Sequence, residues 1–79
     1  MGELKDRAQT DLIEAIQFCM KHYGHSQAKA AQTMGIASTH FNELLRGKRR
    51  LSRGQLQPLY EYGIPFKILM YALNDEQTK

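Results

Sequence analysis

Apolar residues recur along this chain at helical spacing. Leu12, Ile16, Cys19, Met20 and Tyr23 fall at i, i+4, i+7, i+8 and i+11, one face of a helix, with Ile13 and Phe18 flanking the stripe. The pattern predicts a first helix over about 6–23, with Asp6 and Gln9 as its capping pair and Gly24 as its stop. Ser26 is placed to cap a second helix over 27–34, whose interior residues Ala28, Ala30 and Ala31 let another helix approach closely. Gly35 ends it. A third helix is predicted over 38–46 with Phe41, Leu44 and Leu45 inward, stopped by Gly47 and followed by the basic loop Lys48–Arg50.

Ser52 and Gln55 then form an S-x-x-Q capping box, and Leu51 and Leu56 occupy the hydrophobic-staple positions of a fourth helix. Leu56, Leu59, Tyr60 and Tyr62 supply its apolar contacts. Pro58 either bends that helix or marks where its regular part begins. Gly63 ends it, and Pro65 suits the first turn of a fifth helix over 65–74. No stretch sustains the period-2 alternation of a strand. The fold class expected is all-α: a compact bundle of about five short helices forming one domain over residues 1–79.

The fifth segment is apolar around most of its circumference: between Pro65 and Leu73 only Lys67 is charged. A surface helix of a small domain needs a single apolar stripe. The surplus predicts a two-fold homodimer through Phe66, Leu69, Met70 and Leu73, the alternative being a fully buried helix in a monomer.

Charge sharpens the picture because it is unevenly placed. The net charge is +3. Lys21, Lys29, Arg46, Lys48, Arg49, Arg50 and Arg53 stand against Glu43 alone between residues 21 and 53, a local +6 between mildly acidic flanks. Such a basic middle is an electrostatic footprint for a polyanion.

Taking Gln27 as position one of a helix-turn-helix imposes demands at fixed offsets. Position five must be small where the helices cross, and it is Ala31. Position nine must accept positive φ, and it is Gly35. Positions four, eight, ten, fifteen and eighteen must be apolar, and they are Ala30, Met34, Ile36, Phe41 and Leu44. Every demand is met, with a basic cluster directly after.

The stretch from Ser26 to Ile64, about half of the chain, resembles the Cro/XRE-type, lambda-repressor-like helix-turn-helix family, the resemblance being carried by the run SQAKAAQTMGIASTHFNELLRGKRRLS. Ala37 stands where that family often carries Ser or Thr before the third helix, and the stretch from Ser52 to Gly63 is about one residue short of its pattern. The resemblance implies sequence-specific binding of double-stranded DNA, as a homodimeric repressor on a palindromic operator, with the motif at 27–46 and dimerisation through the helix at 65–74. It implies that Gln27 bonds a phosphate and that Ser38, Thr39, His40, Asn42 and Glu43 face base edges in the major groove. Arg46, Lys48, Arg49 and Arg50 would grip the backbone. Glu43 has the alternative of a salt-bridge partner, and His40 that of solvent. Small solitary domains of this type suit phage or plasmid circuits. A same-fold alternative is a protein-binding regulator, an antirepressor or antitoxin acting through the apolar C-terminal helix.

Signals for other chemistry are poor. Cys19, His22 and His25 lie close in sequence, but three ligands across a helix end do not make a structural zinc site, and Cys19 sits on the apolar stripe. No phosphate-cradling glycine loop, paired-carboxylate motif or nucleophile–base pair is present, so neither an enzyme nor a metal or other cofactor is expected. With one cysteine, no intramolecular disulfide framework is available. No apolar run approaches a membrane span and the N-terminal residues are polar, so no membrane partner and a cytoplasmic location are expected.

Overall fold

A computed structural model describes the backbone of residues 2–77 and the side chains of residues 7–73. Five α-helices follow in order: α1 (Gly2–Tyr23), α2 (Gln27–Met34), α3 (Ser38–Leu45), α4 (Leu56–Tyr62) and α5 (Phe66–Gln77), with a 3-10 turn at Arg53–Gln55 before α4. No strand occurs among the described residues. The radius of gyration is 11.7 Å, close to the roughly 11.6 Å that a compact chain of this length adopts.

Local chemistry explains most of the boundaries. The Ser26 hydroxyl accepts from the Lys29 amide at 3.1 Å and caps α2. At the other end Gly35 takes φ 73°, donates to the Ala31 and Gln32 carbonyls, and is followed by Ile36, whose amide also reaches the Ala31 carbonyl at 2.9 Å. Only a residue that tolerates the left-handed region can make this three-residue turn into α3. Ala37 precedes α3 and supplies no side-chain cap.

Several expected boundaries move. Helix α1 begins at Gly2 rather than near residue 6, because nothing in Glu3–Lys5 breaks a helix. Asp6, whose side chain lies outside those described, is therefore inside the helix and not its cap. The Ser52–Gln55 capping box forms, with Gln55 Oε1 accepting from the Ser52 amide at 3.2 Å, but it opens a 3-10 turn. Regular α-helix starts only at Leu56, which leaves Pro58 in the first turn of α4, where its missing N–H is least costly. Helix α5 starts one residue after Pro65, whose carbonyl accepts from Ile68 and Leu69, and runs on to Gln77.

The core gathers Leu12 and Ile16 of α1, Ala30, Ala31 and Met34 of α2, and Phe41 and Leu44 of α3. Leu51, Leu59, Tyr62 and Ile64 join them from the second half, with Leu69, Ala72 and Leu73 of α5. The most extensive packing is α1 on α5, followed by α2 on α3. This packing corrects the expected dimer surface. Leu69 is wholly buried and Leu73 is 4% exposed, both inside the chain's own core. Part of the surplus apolarity of the segment is taken into the core, so of the four expected contact residues only Phe66 and, in part, Met70 reach the surface. Tyr60, expected as a packing residue of the fourth helix, is also exposed and meets Phe66 edge-on.

A cluster of rings ties the end of α1 to α4. The Tyr23 hydroxyl donates to the Tyr62 carbonyl at 3.0 Å, and Tyr62 Oη lies 2.7 Å from His25 Nδ1. Burial pushes the Tyr62 phenol above its ordinary value, helped by Cys19 and Tyr23, and burial likewise raises the Cys19 thiol. The fold therefore retains protons that the unfolded chain releases first as pH rises. The stability these two groups contribute is present below their unfolded-state values, about 9 for the thiol, and is lost as pH climbs through their folded-state values. Urea unfolding between pH 8 and 10.5 is expected to show a falling midpoint that flattens in Cys19→Ser/Tyr62→Phe; a wild-type midpoint independent of pH would contradict it.

Candidate nucleic-acid interface

The N-terminal ends of α2 and α3 come together around an open hollow of about 420 Å³ lined by Gln27, Ala28, Ser38, Thr39 and Asn42. Four of these five were singled out from the sequence; Ala28 forms the remaining wall. Ser38 and Thr39 are exposed, while Gln27 and Asn42 are half-buried. The juxtaposition follows from the Gly35 turn and from small residues in α2, where Ala30 and Ala31 are 0% and 1% exposed against α3.

Chemically the hollow offers two amides and two hydroxyls, which donate and accept in the geometries that base edges present. Because Ala37 provides no capping side chain, the first amides of α3 have no side-chain acceptor from that residue. A helix start of this kind favours anionic oxygen.

The basic residues lie at the opposite end of α3. Eight residues of helix span about 12 Å, so one rod carries polar groups at its start and cations just past its end. Arg46, Lys48, Arg49 and Arg50 are all exposed. The loop is anchored as well as charged: the Lys48 amide donates to the Glu43 carbonyl at 2.9 Å, and Gln9 Nε2 of α1 reaches the Arg49 carbonyl at 3.4 Å.

Two expected roles change. Arg49 gives both Nη2 and Nε to Glu43 Oε1, at 2.7 and 2.9 Å. Glu43 is thus an ion-pair partner and not an unengaged acceptor for cytosine, and part of the charge of Arg49 is spent within the protein. The pair is solvent-facing, 48% and 36% exposed, and is worth little to stability, about 0–1 kcal/mol. His40, expected to face bases, turns its Nε2 instead to Gln55 Nε2 at 2.6 Å. Gln55 donates there, so the ring nitrogen serves as acceptor and is occupied inside the molecule.

Gln55 itself was read from the sequence only as half of a capping box. It is 7% exposed, and its amide joins the Ser52 backbone to His40 of α3. The capping motif was a local signal for the first bond; nothing local signals the second, which spans fifteen positions.

Cys19, His22 and His25, close in sequence, take different neighbours. Cys19 packs against the core, His22 lies against Phe18, and His25 meets Tyr62. No helix is long and apolar enough to cross a membrane among the described residues. Compared with known proteins, the chain matches no family model, no curated protein and no solved structure.

Proposed function

We propose that this chain is a sequence-specific double-stranded-DNA-binding transcriptional regulator of the Cro type, with α2 and α3 as its helix-turn-helix. The observation that carries the reading is the hollow where Gln27, Ser38, Thr39 and Asn42 converge, on a helix whose far end leads into a basic loop. In this reading α3 enters the major groove N-terminus first, and Ser38, Thr39 and Asn42 read base edges. Gln27 and the cations Arg46, Lys48 and Arg50 hold phosphates, which sets register without specifying sequence. His40 supports α3 through Gln55, and Glu43 withholds part of the charge of Arg49 from the duplex.

Two copies would place two such helices about 34–36 Å apart, reading the half-sites of a palindrome. The copy-to-copy contact assigned to α5 shifts to its outer face, where Phe66 and Tyr71 are 57% and 63% exposed. Occupancy of a site overlapping a promoter would exclude polymerase, which makes repression the simplest outcome.

Selection of bound duplexes from a random pool tests the reading. An enriched two-fold site is expected, with enrichment lost in Asn42→Ala while Lys48→Ala weakens all sequences alike. A pool that stays random would overturn it, and light scattering that shows only monomer at micromolar concentration would remove the two-fold part. A second reading, a regulator that binds a protein partner, is favoured by the same exposed aromatics Tyr60, Phe66 and Tyr71; it requires partner binding that survives Asn42→Ala.

A further inference from the structure

A second hollow, sharing no residue with the α2–α3 groove, lies where the end of α1 meets α2 and α4. It measures about 260 Å³ and is lined by Tyr23, His25, Thr33, Glu61 and Tyr62, several times the roughly 30 Å³ that one water occupies. Three rings of its lining stand at angles to one another, Tyr23 being 50% exposed and Tyr62 only 5%. The Tyr23 and Tyr62 rings cross at 68° with centroids 5.2 Å apart, and His25 tilts 38° from Tyr23 at 5.5 Å.

The hydroxyls of this lining are turned to the protein. Tyr23 Oη donates to the Tyr62 carbonyl, Tyr62 Oη is engaged with His25 Nδ1, and Thr33 Oγ1 donates to the Lys29 carbonyl at 2.8 Å. These bonds fix the rings before any ligand arrives and leave little hydroxyl donor capacity for an anion. The lining contains no Lys or Arg; its one formal charge is Glu61, whose Oε2 is oriented by Gln57 Nε2 at 2.8 Å. The half-exposed Tyr23 ring, the His25 ring beside it and a single carboxylate attract a cation through ring quadrupole and charge together. They also select its type. An ammonium needs acceptors to replace its water, whereas a methylated ammonium is weakly hydrated and presents only C–H groups to the rings.

The geometry points to a binding site for a trimethylammonium-type cation between Tyr23, His25 and Glu61, with the buried Tyr62 ring backing them. Such a group reaches the site either as a free small molecule or as a methylated lysine side chain, and the chemistry of recognition is shared.

The test is a two-dimensional amide NMR titration of the whole chain with tetramethylammonium chloride, against sodium chloride at equal ionic strength. Saturable shifts centred on Tyr23, His25, Thr33, Glu61 and Tyr62 are expected. Glu61→Gln and Tyr23→Ala should each weaken binding at least about threefold, the lower range of a cation–π or charge contact. Glu61 is exposed, so its variant remains folded and interpretable even where Tyr23→Ala is not. Choline and a peptide carrying one trimethyllysine distinguish the sources by which of them saturates at lower concentration. Shifts no larger than those with sodium, or binding unchanged in Glu61→Gln, overturn the proposal. The outcome is independent of DNA binding, which Glu61→Gln should leave intact.

Discussion

Phe41→Ala is expected to remove about 3–5 kcal/mol of unfolding free energy, measured by urea denaturation. Phe41 is the largest fully buried side chain among the described residues, at 0% exposure, on the inner side of α3. A domain of this size holds only about 4–12 kcal/mol in total, so much of the population should unfold at moderate temperature. The paired control is Phe66→Ala. Its ring is 57% exposed, touching Tyr60 edge-on, and its loss should change monomer stability by no more than about 0.5 kcal/mol. Equal costs for the two substitutions would contradict the burial described. A cost for Phe66→Ala that grows with protein concentration would instead mark that ring as the contact between copies.

The second large effect is on ionic strength. If six to ten phosphates are neutralised across a dimer, duplex affinity should fall by about 10³–10⁵ between 50 and 200 mM salt. Removing one phosphate contact per subunit with Lys48→Ala should flatten the slope of log affinity against log salt by about 0.9 per contact. The Glu43–Arg49 pair adds a sign that is harder to obtain by accident. Glu43→Gln removes a negative charge and releases Arg49 from its 2.7 Å partner, so binding to any duplex should tighten and the salt slope should steepen. An affinity flat across this range, or a Glu43→Gln variant that binds more weakly to random duplex, would argue against the proposed interface. Fluorescence anisotropy with labelled duplex reads both.

Local stereochemistry was legible in the residues and long-range packing was not. Gly35, Ser26 and the Ser52–Gln55 box act within a few residues of themselves, and each forms the bond its type and spacing imply. The all-helical bundle follows from the same kind of signal. So does the convergence of Gln27, Ser38, Thr39 and Asn42, because fixed offsets around one turn largely determine it. Contacts between distant segments have a different origin. A count of apolar residues in α5 measures how much surface must be covered but not by what; Leu69 and Leu73 are buried in a core where α5 packs chiefly on α1. Glu43 and Arg49 are six apart, a spacing that places no pair on one helix face; the loop after α3 had to bend back before they could meet. His40 is the clearest case: an exposed-looking imidazole in a polar helix start is claimed by an amide fifteen positions later.

That last bond has a mechanical meaning. By clasping residue 40 to residue 55 it turns the intervening stretch, with Arg46, Lys48, Arg49, Arg50 and Arg53 on it, into a closed belt instead of a tether. Ordering backbone costs about 1–2 kcal/mol per residue, and here that cost falls within folding and not within association. The cations are thus presented as a stiff collar, and a polyanion that meets them has less disorder left to quench.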